Sequence, residues 1–194
     1  TNSGVAFNSY GGTFTFVSGD VDAGASTGSF VVAKRDAGTW TRPTIGTRAA
    51  TSTQATGMTS FSESQVGEPA PTQVVFTTQP PNSTAGVAFT PQPVVTIRDA
   101  NGFTVTTGVD ATATITLTLQ SGTGTLSGTT SMAAVAGVAD FSGKGLSINL
   151  TGSKTLRVTK ADTTAGGGTP AATVDSATFT ISNGPATQVV FTTQ

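Results

Sequence analysis

The sequence predicts an all-β protein made of tandem β-sandwich modules, and three observations support this. Threonine dominates a chain in which only 10% of residues are charged, against roughly 25% in an average soluble domain. β-Branched side chains favour strands over helices. Apolar residues recur in short alternating runs. Finally, the octamer T-Q-V-V-F-T-T-Q occurs at residues 72–79 and again at 187–194, which indicates a repeated module.

The two octamers divide the chain into three parts. They lie about 115 residues apart, the size of one small all-β domain, and each follows a short proline-containing segment. We therefore predict that residues 1–69 are the C-terminal part of a β-rich sandwich module that lacks upstream strands. Residues 70–184 should form a complete module, and residues 185–194 the first strand of the next one.

In the first part, alternation predicts strands at residues 12–17 and 29–34, and a last strand at 58–66. The last of these alternates poorly around Phe61 and requires a bulge.

The second part contains seven or more short strand patterns separated by Gly, Ser and Asn turns, as in immunoglobulin-like sandwiches. Predicted strands are residues 72–78, 94–98, 111–119, 129–134, 138–141, 154–160 and 177–182. Asn101-Gly102 tolerates positive φ at both positions and is a strong hairpin signal. Alternation places six residues in the core: Ile115, Leu117, Leu156, Val158, Phe179 and Ile181.

Composition argues against several functions. The net charge is −1 with nine scattered basic residues, so no basic stripe suits a nucleic acid. The longest apolar run, residues 132–139, is too short to span a bilayer. Histidine and cysteine are absent, which removes the commonest general base and the thiol nucleophile. We predict a protein that is not an enzyme and needs no cofactor.

Four ordered blocks of the second part resemble the bacterial Ig-like repeats of giant surface proteins, which are related in fold to invasin and intimin modules. The blocks are Q-V-V-F-T-T-Q-P-P-N-S-T-A-G, P-V-V-T-I-R-D-A-N-G-F-T-V, G-T-L-S-G-T-T and V-A-G-V-A-D-F-S. Residues 40–68 resemble the closing strands of a β-rich module of giant secreted proteins from Bacteroidota-like bacteria. The resemblance implies extracellular tandem arrays that serve as stalks, adhesins or filament bodies, and it implies no catalytic residues.

Two kinds of binding site are open. Hard oxygen ligands suit Ca²⁺, and the candidates are Asp20 with Asp22, or Asp99 with Asn101, although ordinary turn chemistry is the favoured explanation for both pairs. A sugar platform needs exposed aromatic rings, and the candidates are Trp40 and Tyr10. A buried Trp40 would favour a spacer, whereas an exposed Trp40 beside a groove would favour sugar binding.

Two tripeptides, Asp162-Thr163-Thr164 and Asp175-Ser176-Ala177, resemble O-glycosylation sites of Bacteroidota secreted proteins. The resemblance implies glycans on Thr163 and on Ser176.

We expect a non-enzymatic extracellular structural or adhesive protein whose modules form the stalk or filament body of a cell-surface protein. The alternative is an accessory carbohydrate-binding region of a secreted polysaccharide-degrading enzyme. The expected partners are neighbouring repeats of the same chain or other copies in a filament, with surface glycans or another cell as further candidates. Val189, Val190 and Phe191 should form an inter-module strand, received by the next module or by residues 1–69 of a neighbouring copy.

Overall fold

A computed structural model describes residues 6–184 of the chain, and this part is nearly all β. Seventeen strands form several sheets whose pairings are antiparallel, apart from one short parallel pair. The helical pieces in the described part are four short 3-10 turns, at Ser18–Asp20, Thr27–Ser29, Val109–Thr112 and Thr164–Gly166. The predicted all-β class is confirmed.

The first six strands form two three-stranded sheets. They are β1 (Tyr10–Thr15), β2 (Val31–Asp36), β3 (Thr39–Thr41), β4 (Thr44–Ala49), β5 (Ser52–Met58) and β6 (Glu63–Gly67). The strand orders are β1-β5-β4 and β3-β2-β6. Between the sheets lies a small core of Val32, Ala55 and Met58, with Tyr10, Phe14, Ile45 and Val66 packed against it.

The remaining eleven strands surround a larger core. They are β7 (Pro71–Thr78), β8 (Ser83–Thr84), β9 (Val94–Asp99), β10 (Thr114–Ser121), β11 (Leu126–Ser127), β12 (Ser131–Ala133), β13 (Val138–Asp140), β14 (Ser147–Ile148), β15 (Gly152–Lys160), β16 (Ala172–Asp175) and β17 (Phe179–Ser182). One sheet has the order β12-β10-β15-β17-β8, with β16 also paired to β15. A second has the order β13-β9-β7, and β11 pairs with β14.

Alternate residues along the strands of both larger sheets contribute their side chains to one hydrophobic cluster. Val95 and Ile97 enter it from β9, while Ile115 and Leu117 enter it from β10. All six side chains that alternation places in the core are buried in this cluster. The predicted inward face of these strands is therefore confirmed.

Most predicted strands differ from the observed ones by one or two residues at their ends, and two differ more. Residues 58–66 are not one strand, because β5 ends at Met58 and β6 begins at Glu63 in a different sheet. The intervening Phe61 is 72% exposed, so the poor alternation there marks a crossing between sheets and not a bulge. The strand predicted from residue 111 begins only at Thr114, because Val109–Thr112 forms a 3-10 turn.

The chain turns at Asn101-Gly102, where Gly102 has a positive φ of 83°. The structure places two separate hydrophobic clusters on either side of the predicted boundary at residue 69. We refer to residues 6–69 as the N-terminal unit and residues 70–184 as the C-terminal unit. The domain division itself stays a prediction, and Val189, Val190 and Phe191 lie outside the described residues.

Candidate inter-module joint

The two units meet in a joint whose central contact is an ion pair. Arg42 follows β3 in the N-terminal unit, and Asp99 ends β9 in the C-terminal unit. The Arg42 Nη2 lies 2.5 Å from the Asp99 Oδ2, and the two side chains are only 17% and 11% exposed. Water is thus largely excluded, which strengthens the attraction relative to a surface pair.

Other groups of the C-terminal unit complete the arginine site. The Nη1 of Arg42 donates to the Thr104 carbonyl oxygen at 3.4 Å. The guanidinium carbon stands 5.2 Å from the centre of the Phe103 ring, within the range of a cation–π contact. Carboxylate, carbonyl and aromatic face together recognise a planar guanidinium, a geometry that lysine would not reproduce.

The Asn101-Gly102 turn holds Asp99 in place. The Asp99 Oδ1 accepts the backbone N–H groups of Asn101 and Phe103, both at 2.9 Å. The Gly102 N–H donates to the Asp99 carbonyl oxygen at 3.0 Å. Because these bonds fix the carboxylate before the arginine arrives, little side-chain entropy is lost when the joint forms.

Backbone contacts surround the ion pair. The Thr107 hydroxyl donates across the joint to the Ser29 carbonyl oxygen at 2.8 Å, and within the N-terminal unit the Ser26 N–H donates to the Glu68 Oε2 at 3.2 Å. Glu68 itself lies against Gly108, where a Cβ atom would stand 2.5 Å from the Glu68 Oε1. The joint therefore depends on close backbone approach as well as on charge.

A second close approach joins two glycines across the units. A Cβ atom at Gly167, whose φ is 86°, would stand 2.8 Å from the Gly24 carbonyl oxygen. Gly167 belongs to the Gly166-Gly167-Gly168 loop, which follows Thr163 in the chain and lies next to the Val109 side chain. A larger residue at Gly167 would force the units apart, whereas a Cβ atom at Gly24 would lie 3.7 Å from the Gly167 Cα, an ordinary van der Waals distance.

The calcium candidates do not come together around a cation. Asp99 is committed to Arg42 and to two backbone N–H groups, while Asn101 is exposed. Asp20 accepts the Val17 N–H at 3.0 Å. Asp22 lines a cavity of about 190 Å³ between the units that Glu68 and Asp110 also line. The described residues hold no group of three or more acidic, histidine or cysteine side chains suited to a metal ion.

Beneath this cavity lies a buried ion pair that composition does not reveal. The Lys160 Nζ is 2.6 Å from the Asp110 Oδ1, with side chains 1% and 7% exposed. Hydroxyl and carbonyl oxygens of Thr169 also accept from Lys160, at 3.1 and 3.2 Å. The charge of each partner is thus neutralised and hydrogen-bonded, as burial of ions requires.

The two glycosylation candidates are both engaged in internal hydrogen bonds. The half-buried Thr163 hydroxyl donates to the Asp110 Oδ1 at 2.5 Å. The Ser176 hydroxyl is buried, accepts the Leu156 N–H at 3.0 Å and donates to the Ala177 carbonyl oxygen at 2.7 Å. A glycan at either position would replace these donated bonds, and the glycosylation of both residues stays a prediction.

The sugar-platform candidates lie in different surroundings. Trp40 is half-buried, with the Arg35 guanidinium carbon 5.8 Å from the centre of its ring. Tyr10 belongs to an aromatic cluster in which its ring centre is 5.4 Å from that of Phe7 and 4.8 Å from that of Phe61. The Tyr10 hydroxyl donates to the Ser60 carbonyl oxygen at 2.9 Å. Because Trp40 is neither fully buried nor fully exposed, its exposure favours neither the spacer nor sugar binding. Sugar binding stays a prediction.

Sequence reasoning missed the joint residues Ser26, Arg42 and Thr107, whereas Glu68 begins the proline-containing segment that precedes the first octamer. It singled out Asp99 and Asn101 for a different reason, because the turn signal is local. A partner 57 positions away leaves no mark in the sequence pattern of one chain.

Comparison of the chain with family models, curated proteins and solved structures finds no match. No helix among residues 6–184 is long and apolar enough to cross a membrane. The structure and its contacts therefore carry the functional argument.

Proposed function

We propose that this chain is a non-enzymatic spacer segment of an extracellular repetitive protein, built from tandem immunoglobulin-like sandwiches that form a stalk or filament body. The Arg42–Asp99 pair carries the proposal, because a low-exposure ion pair between two units fixes their relative orientation. Units held in series at a fixed orientation keep the protein extended and transmit force along it, whereas units joined by a flexible linker alone would tumble independently.

The test compares the flexibility of the joint in matched variants. Arg42→Ala should broaden the distribution of inter-unit distances, measured by spin-label pairs placed on the two units or by small-angle scattering. Arg35→Ala is the control, because the exposed pair of Arg35 with Glu63 and its approach to the Trp40 ring both lie within the N-terminal unit. An unchanged distance distribution in Arg42→Ala would remove the support for a rigid spacer.

The repeated octamer supports the array. We propose that Val189, Val190 and Phe191 open the next module, as Val74 does in the first copy, where it is buried in the core. The alternative is that residues 1–69 of another copy receive this strand and build a filament. Sedimentation of the chain with and without residues 187–194 separates the two, because only the filament version loses self-association on deletion.

A second function is favoured by the aromatic cluster of Phe7, Tyr10 and Phe61. Phe61 is 72% exposed, and sugar rings stack on exposed aromatic faces. The chain would then be an accessory carbohydrate-binding region of a polysaccharide-degrading enzyme. Co-sedimentation with insoluble cellulose, chitin and xylan tests it, with Phe61→Ala as the loss variant and exposed Val17→Ala as the control.

A further inference from the structure

Two asparagine–glycine pairs occur in the described residues, in contrasting settings. Asn101-Gly102 forms the turn that holds Asp99, whereas Asn183-Gly184 follows the last residue of β17. All four residues are exposed. The two reactive pairs have the same sequence, although their flanking residues differ, and the fold adds a further difference.

Asparagine followed by glycine is prone to an intramolecular reaction. The backbone nitrogen of the glycine attacks the side-chain carbonyl carbon of the asparagine, a C–N bond forms, and the side-chain amide leaves as ammonia. Water then opens the resulting succinimide at one of its two carbonyls and gives aspartate or isoaspartate. The net change is one amide and one water converted into one carboxylic acid and one ammonia.

The turn at Asn101 opposes this attack. The attacking nitrogen, that of Gly102, donates to the Asp99 carbonyl oxygen at 3.0 Å. The Asn101 and Phe103 N–H groups donate to the Asp99 Oδ1, and Asp99 is anchored by Arg42. Rotation of the Asn101 backbone into an attacking geometry must break several of these bonds, which requires local opening.

The surroundings of Asn183 impose less constraint. Asn183 and Gly184 lie beyond the end of β17 in neither a strand nor a turn, whereas Asn101 and Gly102 form the turn after β9. Asn82 and Asn149 differ again, because their side-chain oxygens accept the Thr180 and Thr125 N–H groups at 2.7 and 2.8 Å. Both are also followed by residues with side chains, Ser83 and Leu150, which hinder the attacking nitrogen.

Asn183 occupies the position in the repeat that corresponds to Glu68. It stands four residues before its copy of the octamer, as Glu68 stands four residues before the other copy. In the first joint, the Glu68 carboxylate accepts the Ser26 N–H within the N-terminal unit and lies against Gly108 of the C-terminal unit. Deamidation of Asn183 places a carboxylate at the equivalent position.

We propose that Asn183 is a site of spontaneous deamidation. The reaction slowly introduces a carboxylate at the boundary between repeats, at the position that Glu68 occupies in the first joint. The chemical step stands independently of the proposed function, whereas its consequence for a joint rests on it. Asn101 is the protected counterpart inside the folded turn.

Peptide mapping of the full chain after prolonged incubation in ¹⁸O-water measures both sites, with isoaspartyl methyltransferase reporting isoaspartate. In the folded protein, Asn183 should convert at least about tenfold faster than Asn101, because attack at Asn101 needs local opening. In urea, the two rates should become similar. Gly184→Ala should slow Asn183 and leave Asn101 unchanged.

Three results would overturn the proposal: equal rates in the folded chain, a rate difference that persists in urea, or no effect of Gly184→Ala. The distance measurements on Arg42→Ala are unaffected by any of them, so failure here is distinguishable from failure of the spacer function.

Discussion

Buried lysines are the least expected residues in this lightly charged chain. Lys34, Lys154 and Lys160 are only 3%, 1% and 1% exposed. Each amine donates to oxygen: Lys34 to Asp36 and Ser60, Lys154 to the Thr151 carbonyl, and Lys160 to several groups including Asp110. Composition alone would assign these charges to the surface, so burial of this kind is visible only in the structure.

The core residue Leu117 gives the simplest test of the packing. Leu117→Ala should cost about 2–5 kcal/mol in the unfolding of the C-terminal unit, because the side chain is buried and its removal leaves a cavity. Calorimetry measures the loss, while fluorescence of Trp40, the only tryptophan, reports the N-terminal unit separately. Leu150→Ala is the matched control, since Leu150 is 50% exposed and should change stability little. Equal losses in the two variants would contradict the assigned core.

Asp36 makes stability depend on pH in the N-terminal unit. The hydrogen bond from Lys34, and then that from Ser60, lowers the pKa of the Asp36 carboxyl below its usual value. A lowered folded-state pKa means that the stabilisation is present above the unfolded value of about 3.9 and is lost as pH falls through the folded value. The difference in melting temperature between wild type and Asp36→Asn should therefore shrink below about pH 4. Trp40 fluorescence follows this unfolding, and a difference that stays constant across pH would refute the linkage.

At the scale of elements, alternation was a good guide to inward faces and a poor one to strand ends. The pattern around Ile115 and Leu117 places them correctly because period-two burial is intrinsic to a strand. It does not show that the chain leaves one sheet after Met58 and enters another at Glu63. The short strands β8, β11 and β14 have two residues each, too few for any periodic signal.

The joint could be predicted only in part, for a similar reason. Asn101-Gly102 marks a turn, and an aspartate two residues earlier commonly accepts hydrogen bonds from the backbone of such a turn. That Asp99 would receive an arginine from another unit depends on packing between distant segments. The same holds for the 3-10 turn before β10, where the buried Asp110 meets Lys160 from the end of β15.

The end of β15 offers a test of that buried pair. Lys160→Met should cost about 3–5 kcal/mol, because it leaves the Asp110 carboxylate buried without its cation. Arg157→Met on the same strand is the control, since its pair with Asp175 is exposed to solvent and should contribute little to stability. Urea titrations monitored by circular dichroism measure both. If the two variants lose the same stability, the Lys160–Asp110 pair has no special role.

At the scale of the whole molecule, two units joined by buried contacts form one assembly despite having separate cores. The N-terminal cluster contains three buried apolar residues, with Phe16, Phe30 and Val31 buried elsewhere in the unit, whereas the C-terminal cluster contains many more. A small core leaves a unit marginally stable by itself. Contacts of Arg42, Ser26 and Ser29 with the larger unit, directly or through Glu68, therefore stabilise the smaller one as well as orient it.

The last prediction concerns salt, which separates a buried joint from one held by surface charge. Raising the salt from about 0.1 M to about 1 M shortens the Debye length from about 10 Å to about 3 Å and weakens exposed ion pairs, but it screens buried pairs much less. The Arg42 and Asp99 side chains are only 17% and 11% exposed, and the remaining joint contacts are hydrogen bonds and backbone packing. Small-angle scattering of the wild-type chain should therefore give the same maximum dimension at both concentrations. Arg42→Ala should give the looser profile at both, because its pair is lost and not screened. If wild type at high salt instead scatters like Arg42→Ala, the joint is a surface electrostatic contact and the spacer is not rigid under saline conditions.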